Sequence, residues 1–292
     1  MDEKTLAPGL YLVATPIGNL EDITLRALRV LKQADKIACE DTRQTQKLLN
    51  HFAIATPTVS YHLFNEGDRS LQLIAELKNG ARIAIVSDAG TPGIADPGSQ
   101  LAAAAIAAGV PVFPVPGANA ALSGLIASGL PAESFTFHGF LPSKQGQRRS
   151  MLEGLVRGAA THVFYETPHR ILEALGDVAD VFGEAQQVVV ARELTKLHEE
   201  FLRGSCVAVR ATLAGRDRVR GEMVLMLHLA EAAPEVQTAT IFESVQALVK
   251  AERLTEMDAL KRVARERGIG KSEAYREFQR GHSRPKRRAA TD

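Results

Sequence analysis

The densest set of residues that could do chemistry is the run from Ser87 to Gly98, SDAGTPGIADPG. Its three glycines and two prolines impose an irregular backbone that can approach a ligand closely, and Asp88 and Asp96 add two carboxylates. The run follows the predicted strand 82–87, and loops beyond the carboxyl ends of such strands commonly carry ligand sites. We therefore predict that it binds a ligand; a rigid structural loop is the alternative.

Two further loops follow predicted strands in the same way. Residues 14–22, ATPIGNLED, occupy the place where a dinucleotide-binding protein carries G-x-G-x-x-G, but Gly18 is the only glycine there, so neither an NAD nor an FAD site is favoured. Residues 115–120, VPGANA, combine small side chains with a helix start, which suits the flat edge of a ligand or a carboxylate. The run GIGKS at residues 268–272 lacks the first glycine and the preceding strand of a phosphate-binding loop, so we do not predict one.

Charged residues cluster at two predicted strand ends. The tetrapeptide EDTR contains Asp41 and Arg43, and the run RELTKLHEE contains Glu193 and Lys196. A base or a cation there could help a hydroxyl group to act as a nucleophile at neutral pH, so we predict these four side chains as catalytic. The alternatives are a helix cap formed by Asp41 or Thr42 and a structural ion pair between Glu193 and Lys196.

The formal net charge of +1 conceals a basic end of the chain. Residues 250–292 contain 13 Lys and Arg against 7 Asp and Glu, which leaves 22 against 27 for residues 1–249. Such a segment could bind nucleic acid electrostatically, although a solvated terminus is the alternative. Arg148 and Arg149 could also hold RNA phosphates, or they could simply begin an exposed helix.

The composition is that of a globular protein with room for two cores, since 45% of the 292 residues are hydrophobic and 24% are charged. Cys39 and Cys206 lie far apart without metal-ligand spacing, so we expect neither a disulfide framework nor a metal site. The longest apolar run, residues 101–108, is much too short to cross a membrane. We expect a cytoplasmic protein with no membrane partner.

Predicted strands alternate with predicted helices, which indicates an α/β fold with parallel strands. The pattern restarts after residue 118, and three helices follow residue 240. We predict an N-terminal α/β domain at 1–117, a C-terminal α/β domain at 118–230 and a small basic helical domain with a tail at 231–292. The predicted strands are 10–14, 37–39, 82–87, 112–115, 135–137, 163–165, 188–191 and 223–228, and the predicted helices are 22–33, 42–52, 68–79, 99–108, 118–128, 241–252, 256–267 and 271–280.

Eight motifs occur in a fixed order: LVATPIGNLEDITLRA, CEDTRQT, SDAGTPGIADPG, VPGANAAL, FHGFLP, FYETPHR, ARELTKLHEE and GEMVL. In this order the sequence resembles, from about residue 9 to 228, the ribosomal RNA small-subunit methyltransferase I group of the tetrapyrrole-methylase superfamily. The resemblance implies two α/β domains with S-adenosylmethionine in the cleft between them, a homodimer, and methyl transfer to the 2′-hydroxyl of a cytidine in the decoding region of 16S ribosomal RNA. The partner would be that RNA or the small ribosomal subunit.

The resemblance also implies which residues surround the cofactor. At positions 90–92 this chain has G-T-P where many superfamily members have G-D-P, so Thr91, Asp88 or the backbone must supply the hydrogen bond that the missing carboxylate would make. Two other functions remain open: a methyltransferase acting on a tetrapyrrole or another small molecule, and a non-catalytic RNA-binding ribosome-associated factor. The implied cofactor residues are Ile17, Ser87, Asp88, Ala89, Gly90, Thr91, Pro92, Gly93, Ile94, Asn119, Ala120, Tyr165, Glu166, Glu222 and Met223.

Overall fold

Two five-stranded sheets organise most of the chain in the computed structural model. The structure describes residues 5–62, 66–155, 160–230, 240–252, 254–266 and 270–282. The chain divides into two compact units, residues 1–231 and 232–292, and both sheets belong to the first. The predicted α/β class is therefore confirmed.

The first sheet is entirely parallel, with the strand order β3-β2-β4-β1-β5. Four of its strands were predicted. The strand β3 was not, because it has only three residues, all half-buried, and so shows no alternation of apolar and polar side chains. Its strands are β1 Gly9–Val13, β2 Lys36–Cys39, β3 Thr58–Ser60, β4 Arg82–Val86 and β5 Val112–Val115. The helices beside them are α1 Leu25–Gln33, α2 Thr42–His51, α3 Glu66–Lys78 and α4 Ser99–Ala107.

One helix start differs from the prediction. We expected Asp22 to cap a helix beginning there, but residues 20–22 form a short 3-10 turn and α1 begins at Leu25. The side chain of Thr24 accepts a hydrogen bond from the backbone N–H of Ala27 and caps α1. Both Asp22 and Thr24 are suitable capping residues, so residue type alone does not distinguish them.

The second sheet is mixed, with the strand order β6-β7-β10-β8-β9. β6 and β7 are parallel, whereas β10 is antiparallel to both β7 and β8, and β8 is antiparallel to β9. The predicted strands are present. The strand β9 was not predicted, because its segment begins within a run of charged residues. The elements are α5 Ala120–Ser128, β6 Phe135–Phe140, α6 Gln145–Glu153, β7 Ala160–Glu166, α7 Ile171–Phe182, β8 Gln187–Arg192, β9 Glu200–Ser205, α8 Cys206–Ala214 and β10 Met223–Leu229.

Apolar side chains cover both faces of each sheet, as expected for sheets packed against helices on two sides. One of these clusters combines the second sheet and α5 with Ile17 from the loop after β1. That loop of the first sheet is therefore part of a core that belongs mainly to the second sheet. No helix in the described part of the chain is long and apolar enough to cross a membrane.

The second unit contains three helices, α9 Ile241–Glu252, α10 Glu256–Glu266 and α11 Lys271–His282. Their apolar faces form a core of their own that includes Val245, Leu260 and Phe278. The three predicted helices are confirmed in the described residues. Residues 231–239, the first two residues of the GIGKS run and the tail from residue 283 lie outside them.

Candidate active site

Three loops meet at the carboxyl edge of the first sheet: loop 1 (residues 14–24), loop 2 (residues 87–98) and loop 3 (residues 116–119). Thr15 and Gly90 exchange two backbone hydrogen bonds, of 2.8 and 3.0 Å, which join loop 1 to loop 2. The hydroxyl of Thr91 donates to the carbonyl oxygen of Ala118 at 3.1 Å and joins loop 2 to loop 3. Gly90 has φ +82°, so the exchange uses a conformation that glycine adopts readily. The three loops therefore form one wall.

The opposite wall is an edge of the second sheet. β10 runs antiparallel to β7 and β8, so its first residue, Met223, lies beside their last residues, Glu166 and Arg192. The next residues are joined as well, because Glu193 N–H donates to the carbonyl oxygen of Glu222 and Glu222 N–H donates to Oε1 of Glu193, at 2.9 and 3.0 Å. This edge thus collects three glutamates from separate motifs.

A cavity of about 240 Å³ lies between the two walls. It is lined by most of the residues that the resemblance assigned to the cofactor: Ile17, Asp88, Ala89, Thr91, Ile94, Ala120, Tyr165, Glu166, Glu222 and Met223. Five lining residues were not predicted: Asp96, Phe140, Ala191, Leu194 and Val224. Each lies inside a motif quoted above, so the motifs predicted which segments form the wall. Which side chains of those segments face the cavity depends on the fold and was not predicted.

Five of the predicted cofactor residues do not line this cavity. Ser87 lines a neighbouring pocket. Gly90 and Pro92 form the backbone of loop 2, and the side chain of Asn119 caps α5 by accepting a hydrogen bond of 3.0 Å from the N–H of Leu122. A Cβ on Gly93 would point towards Ser99 rather than into the cavity. The assignment of these five residues to the cofactor stays a prediction, which their backbone atoms or the neighbouring pocket would have to fulfil.

The two carboxylate oxygens of Glu166 differ in their hydrogen bonding. The residue is 2% exposed, and its Oε1 accepts hydrogen bonds from Thr167 N–H at 2.7 Å and from Nε and Nη2 of Arg170 at 2.8 and 2.7 Å. Its Oε2 is buried without a hydrogen-bond partner in the described residues. Since a buried acceptor without a partner costs about 1–3 kcal/mol, this atom is suited to a donor group on a ligand.

An aromatic cluster forms another part of the cavity wall. The ring of Tyr165 lies 4.9 Å from that of Phe137 and 5.6 Å from that of Phe140, both in edge-on geometry. Burial raises the pKa of the Tyr165 phenol, so the group stays neutral at physiological pH. Phe140 is 51% exposed, which leaves a large apolar side chain at the mouth of the cavity.

A second pocket, of about 480 Å³, adjoins the cavity and shares Ile17, Asp88, Ala89 and Glu222 with it. It is otherwise more polar in character, because α2 and Lys196 contribute to its wall. Its further lining residues are Thr15, Pro16, Gly18, Leu20, Gln44, Thr45, Lys47, Leu48, Val86, Ser87 and Lys196. The two adjoining spaces could hold a cofactor and a substrate side by side.

Of the predicted catalytic residues, only Lys196 lines either space within the described chain. Its ammonium donates to Oε1 of Glu193 at 2.9 Å and to Oε2 of Glu222 at 2.8 Å. Burial lowers the pKa of Lys196, but these two hydrogen bonds outweigh the effect and raise it above its usual value. Lys196 therefore remains a cation at neutral pH, and Glu193 forms the ion pair that was the structural alternative.

Asp41 and Arg43 pair with each other beside the second pocket. Asp41 caps α2 by accepting a hydrogen bond of 2.8 Å from the N–H of Arg43, and it also accepts two from the guanidinium. The Arg43 side chain is 87% exposed. The helix-cap interpretation of Asp41 is confirmed, and its backbone N–H donates to Oδ1 of Asp88 at 3.2 Å. This pair thus supports loop 2 and presents an arginine to solvent.

The proposed phosphate-binding role of Arg148 and Arg149 is wrong for Arg148. Its side chain is 1% exposed, and its Nε donates at 2.6 Å to Asp177, which is 2% exposed. Arg149 pairs with both Asp177 and Asp180. This buried network joins α6 to α7, and sequence spacing could not reveal a partner almost thirty residues away. No cluster of His, Cys, Asp and Glu in the described residues could hold a metal ion.

Comparisons with known proteins agree with this architecture. The profile of the tetrapyrrole (corrin/porphyrin) methylases matches residues 9–208. Uroporphyrin-III-C-methyltransferase from Thermus thermophilus superposes with a TM-score of 0.55 at 22% identity, over 75% of this chain and 94% of that one. Diphthine synthase gives a TM-score of 0.57 at 16% identity, over 75% and 89%. At these identities the likeness concerns the fold alone.

Similarity in sequence is much higher to another set of proteins. A protein of Halalkalibacterium halodurans named ribosomal RNA small subunit methyltransferase I is 48% identical over 271 residues, which cover 91% of this chain and 93% of the relative. The protein of the same name from Vibrio cholerae is 47% identical over 276 residues, covering 90% and 96%. The fold and the profile define a methyltransferase of the tetrapyrrole-methylase type. Within that class, the chain belongs to the ribosomal RNA small-subunit methyltransferase I family.

Proposed function

We propose that the protein methylates the 2′-hydroxyl of a cytidine ribose in the decoding region of 16S ribosomal RNA, with S-adenosylmethionine as methyl donor. We further propose that it does so in the cytoplasm as a homodimer. The observation that carries the proposal is the pair of adjoining pockets. They occur in a chain that matches more than 90% of the length of relatives named for ribosomal RNA methylation. The RNA would be met naked or within the small subunit.

The residues of the 240 Å³ cavity fit S-adenosylmethionine. Apolar walls at Ile17, Leu194 and Val224 suit a flat heterocycle, and the unused Oε2 of Glu166 suits a hydrogen-bond donor such as an amine or a ribose hydroxyl. The hydroxyl of Thr91 already donates to the carbonyl oxygen of Ala118. The polar contacts that loop 2 makes with the cofactor would therefore come from its backbone and from Asp88. When bound, this cofactor supplies a methyl group already activated by a sulfonium centre.

On the other side, the second pocket would receive the ribose. A hydroxyl group is a poor nucleophile at neutral pH, and a cation close to it stabilises the alkoxide that develops as the proton leaves. Of the two lysines that line this pocket, Lys196 is the one whose ammonium is held by carboxylates, those of Glu193 and Glu222. In this proposal Asp41 and Arg43 act on the same side, at the start of the helix that supplies part of the pocket wall.

The test is methyl transfer from labelled S-adenosylmethionine to naked 16S ribosomal RNA and to small subunits, followed by mapping of the modified nucleotide. We expect label on the ribose of a single cytidine. Lys196→Met should reduce the rate by at least about 100-fold while the affinity for S-adenosylmethionine changes little. Lys36→Met is a suitable control, because Lys36 pairs with Glu76 and lines neither pocket.

Three results would contradict this proposal. Label on a base would show that the ribose hydroxyl is not the methylated group. Transfer to a small tetrapyrrole but not to RNA would show that the substrate is a small molecule. A protein that binds RNA but not S-adenosylmethionine would support the non-catalytic alternative. If Lys196→Met, Arg43→Ala and Asp41→Asn all keep near-normal turnover, these residues have no catalytic role. That result would not contradict the proposed reaction.

A further inference from the structure

The cofactor cavity carries more negative charge than its cations neutralise. Four carboxylates line it: Asp88, Asp96, Glu166 and Glu222. Glu166 is paired with Arg170, and Glu222 with Lys196, which it shares with Glu193. Asp88 and Asp96 have no ion pair in the described residues, so these two carboxylates leave the cavity with a net negative charge.

Asp96 is the more perturbed of the two. Burial, followed by the charge of Glu40, raises its pKa to about 6, Asp88 adds to the rise and the Ser87 hydroxyl opposes it. Burial and then Asp88 also raise the pKa of Glu40, although His62 acts in the opposite direction. The charged groups that face Asp96 from the ends of β2 and β4 are therefore acidic.

From β7, the cavity neighbour of Asp96 is the Tyr165 phenol, which is neutral, and the charge of Asp96 raises the pKa of that phenol further. The unused Oε2 of Glu166 in the same cavity indicates independently that a ligand completes this site. A buried carboxylate surrounded by acids, in a space that is built for a ligand, is stabilised best by a positive charge on that ligand.

We propose that Asp96 makes the cavity selective for the charge of the cofactor, so that it binds positively charged S-adenosylmethionine more tightly than the neutral product S-adenosylhomocysteine. The inference rests on the proposed function. It concerns a property of Asp96 that neither methyl transfer nor RNA binding requires, because a methyltransferase can function with either order of affinities.

The two ligands isolate the effect of one charge. They share the adenosine, the amino group and the carboxylate, and differ by a methyl group and the positive charge on sulfur. A charge pair in a partly buried site at an effective dielectric constant of about 20 changes affinity by roughly tenfold or more when the charges lie within about 10 Å. We therefore expect S-adenosylmethionine to bind about tenfold more tightly at pH 7.5, where Asp96 is ionised.

The preference should weaken in acid. As pH falls through about 6, Asp96 takes up a proton and its attraction for the sulfonium is lost. A tenfold preference corresponds to a pKa about one unit lower in the complex, so at pH 5 the ratio of the two dissociation constants should shrink about fivefold. Binding of S-adenosylmethionine at pH 5.5 should also release roughly half a proton, whereas S-adenosylhomocysteine should release none.

The experiment is calorimetry of the full-length protein with each ligand at pH 7.5 and pH 5, in two buffers of different ionisation enthalpy. Asp96→Asn removes the charge at nearly constant size. It should lower the preference at pH 7.5 to near unity by weakening binding of S-adenosylmethionine, and it should abolish the proton release. Asp180→Asn is the matched control, since Asp180 is an exposed carboxylate that pairs with Arg149 and lines neither pocket.

Each outcome has a distinct consequence. Equal affinities at pH 7.5, or an unchanged ratio in a folded Asp96→Asn variant, would overturn the inference and leave the proposed function intact. Failure of the wild-type protein to bind either ligand would overturn both. If Asp96→Asn does not fold, the wild-type ratio at the two pH values still decides, because a ratio that is independent of pH contradicts a role for a group that titrates near 6.

Discussion

Gly18 offers a direct test of how Lys196 is held. This glycine of loop 1 has φ +151°, and a Cβ placed on it would lie 2.8 Å from Cε of Lys196 and closer still to its Cγ. The contact is with the stem of the side chain and not only with its mobile end. The stem of Lys196 must shift to avoid it, and such a shift would disturb the hydrogen bonds of its ammonium to Glu193 and Glu222.

Gly18→Ala should therefore impair methyl transfer more than cofactor binding. Forcing a residue with a Cβ into this backbone conformation costs on the order of 1–3 kcal/mol, and the collision with Lys196 adds to that cost. We expect turnover to fall at least about 100-fold and the dissociation constant for S-adenosylmethionine to change only a few-fold. Gly109→Ala is the matched control, because Gly109 has φ +73° and a Cβ placed on it would meet no heavy atom within 4 Å.

A double-mutant cycle separates the collision from the backbone strain. Urea denaturation of Gly18→Ala, Lys196→Ala and the double variant should show a coupling of about 1–3 kcal/mol, since shortening Lys196 removes the collision but not the strain. Strictly additive free energies of unfolding would refute the reasoning. So would a Gly18→Ala enzyme with full turnover, because Lys196 would then not need its observed position.

Three further predictions concern other parts of the chain. Asp177→Asn should destabilise folding by about 3–5 kcal/mol, because it removes the buried carboxylate that pairs with Arg148, whose other contacts are two carbonyl oxygens and the exposed Glu173. Burial raises the pKa of Asp177, but its arginine and glutamine hydrogen bonds lower it overall, so this stability should be lost in urea titrations as pH falls below about 4. Gly93→Val should weaken S-adenosylmethionine binding in calorimetry together with thermal stability, since Gly93 has φ +81° and packs against Ser99, and weaker binding without lost stability would contradict this. Removal of residues 232–292 should flatten the slope of log K for RNA against log salt by roughly 2–4 and leave cofactor binding intact, whereas an unchanged slope would favour a solvated or protein-docking unit.

The sequence predicted the loops that form the walls of the site more accurately than it predicted which side chains face the cavity. The glycines and prolines of loop 2 indicated an irregular loop at a strand end, and the structure shows this loop bonded to both neighbouring loops. Such residues constrain their own backbone, so their effect is visible locally. By contrast, Asp96 faces the cavity while Gly93 faces Ser99, and that difference depends on how loop 2 folds against α4.

Charged residues were the hardest to interpret because one motif can serve several partners. Glu193 and Lys196 were predicted together, and the structure adds Glu222 from a distant motif, so the acid pair and not one acid holds the ammonium. Arg148 looked like a surface residue because arginine is rarely buried, yet Asp177 on the next helix satisfies it. Partners remote in sequence decide whether such a side chain is structural or available.

The division of the site between two sheets has a consequence for how it tolerates change. The cofactor cavity is bounded by backbone atoms and by residues fixed in a shared core, of which Ile17 is the member from loop 1. Lys196, in contrast, keeps its place through ion pairs with the partly buried Glu193 and the exposed Glu222, and its stem lies close to Gly18. Water reaches both pairs, most of all at Glu222, so the position of the ammonium is maintained less firmly than the cavity walls, which are packed in a core. Substitutions spread over loop 1 and the start of β10 should therefore reduce the rate of methyl transfer before they reduce the affinity for the cofactor.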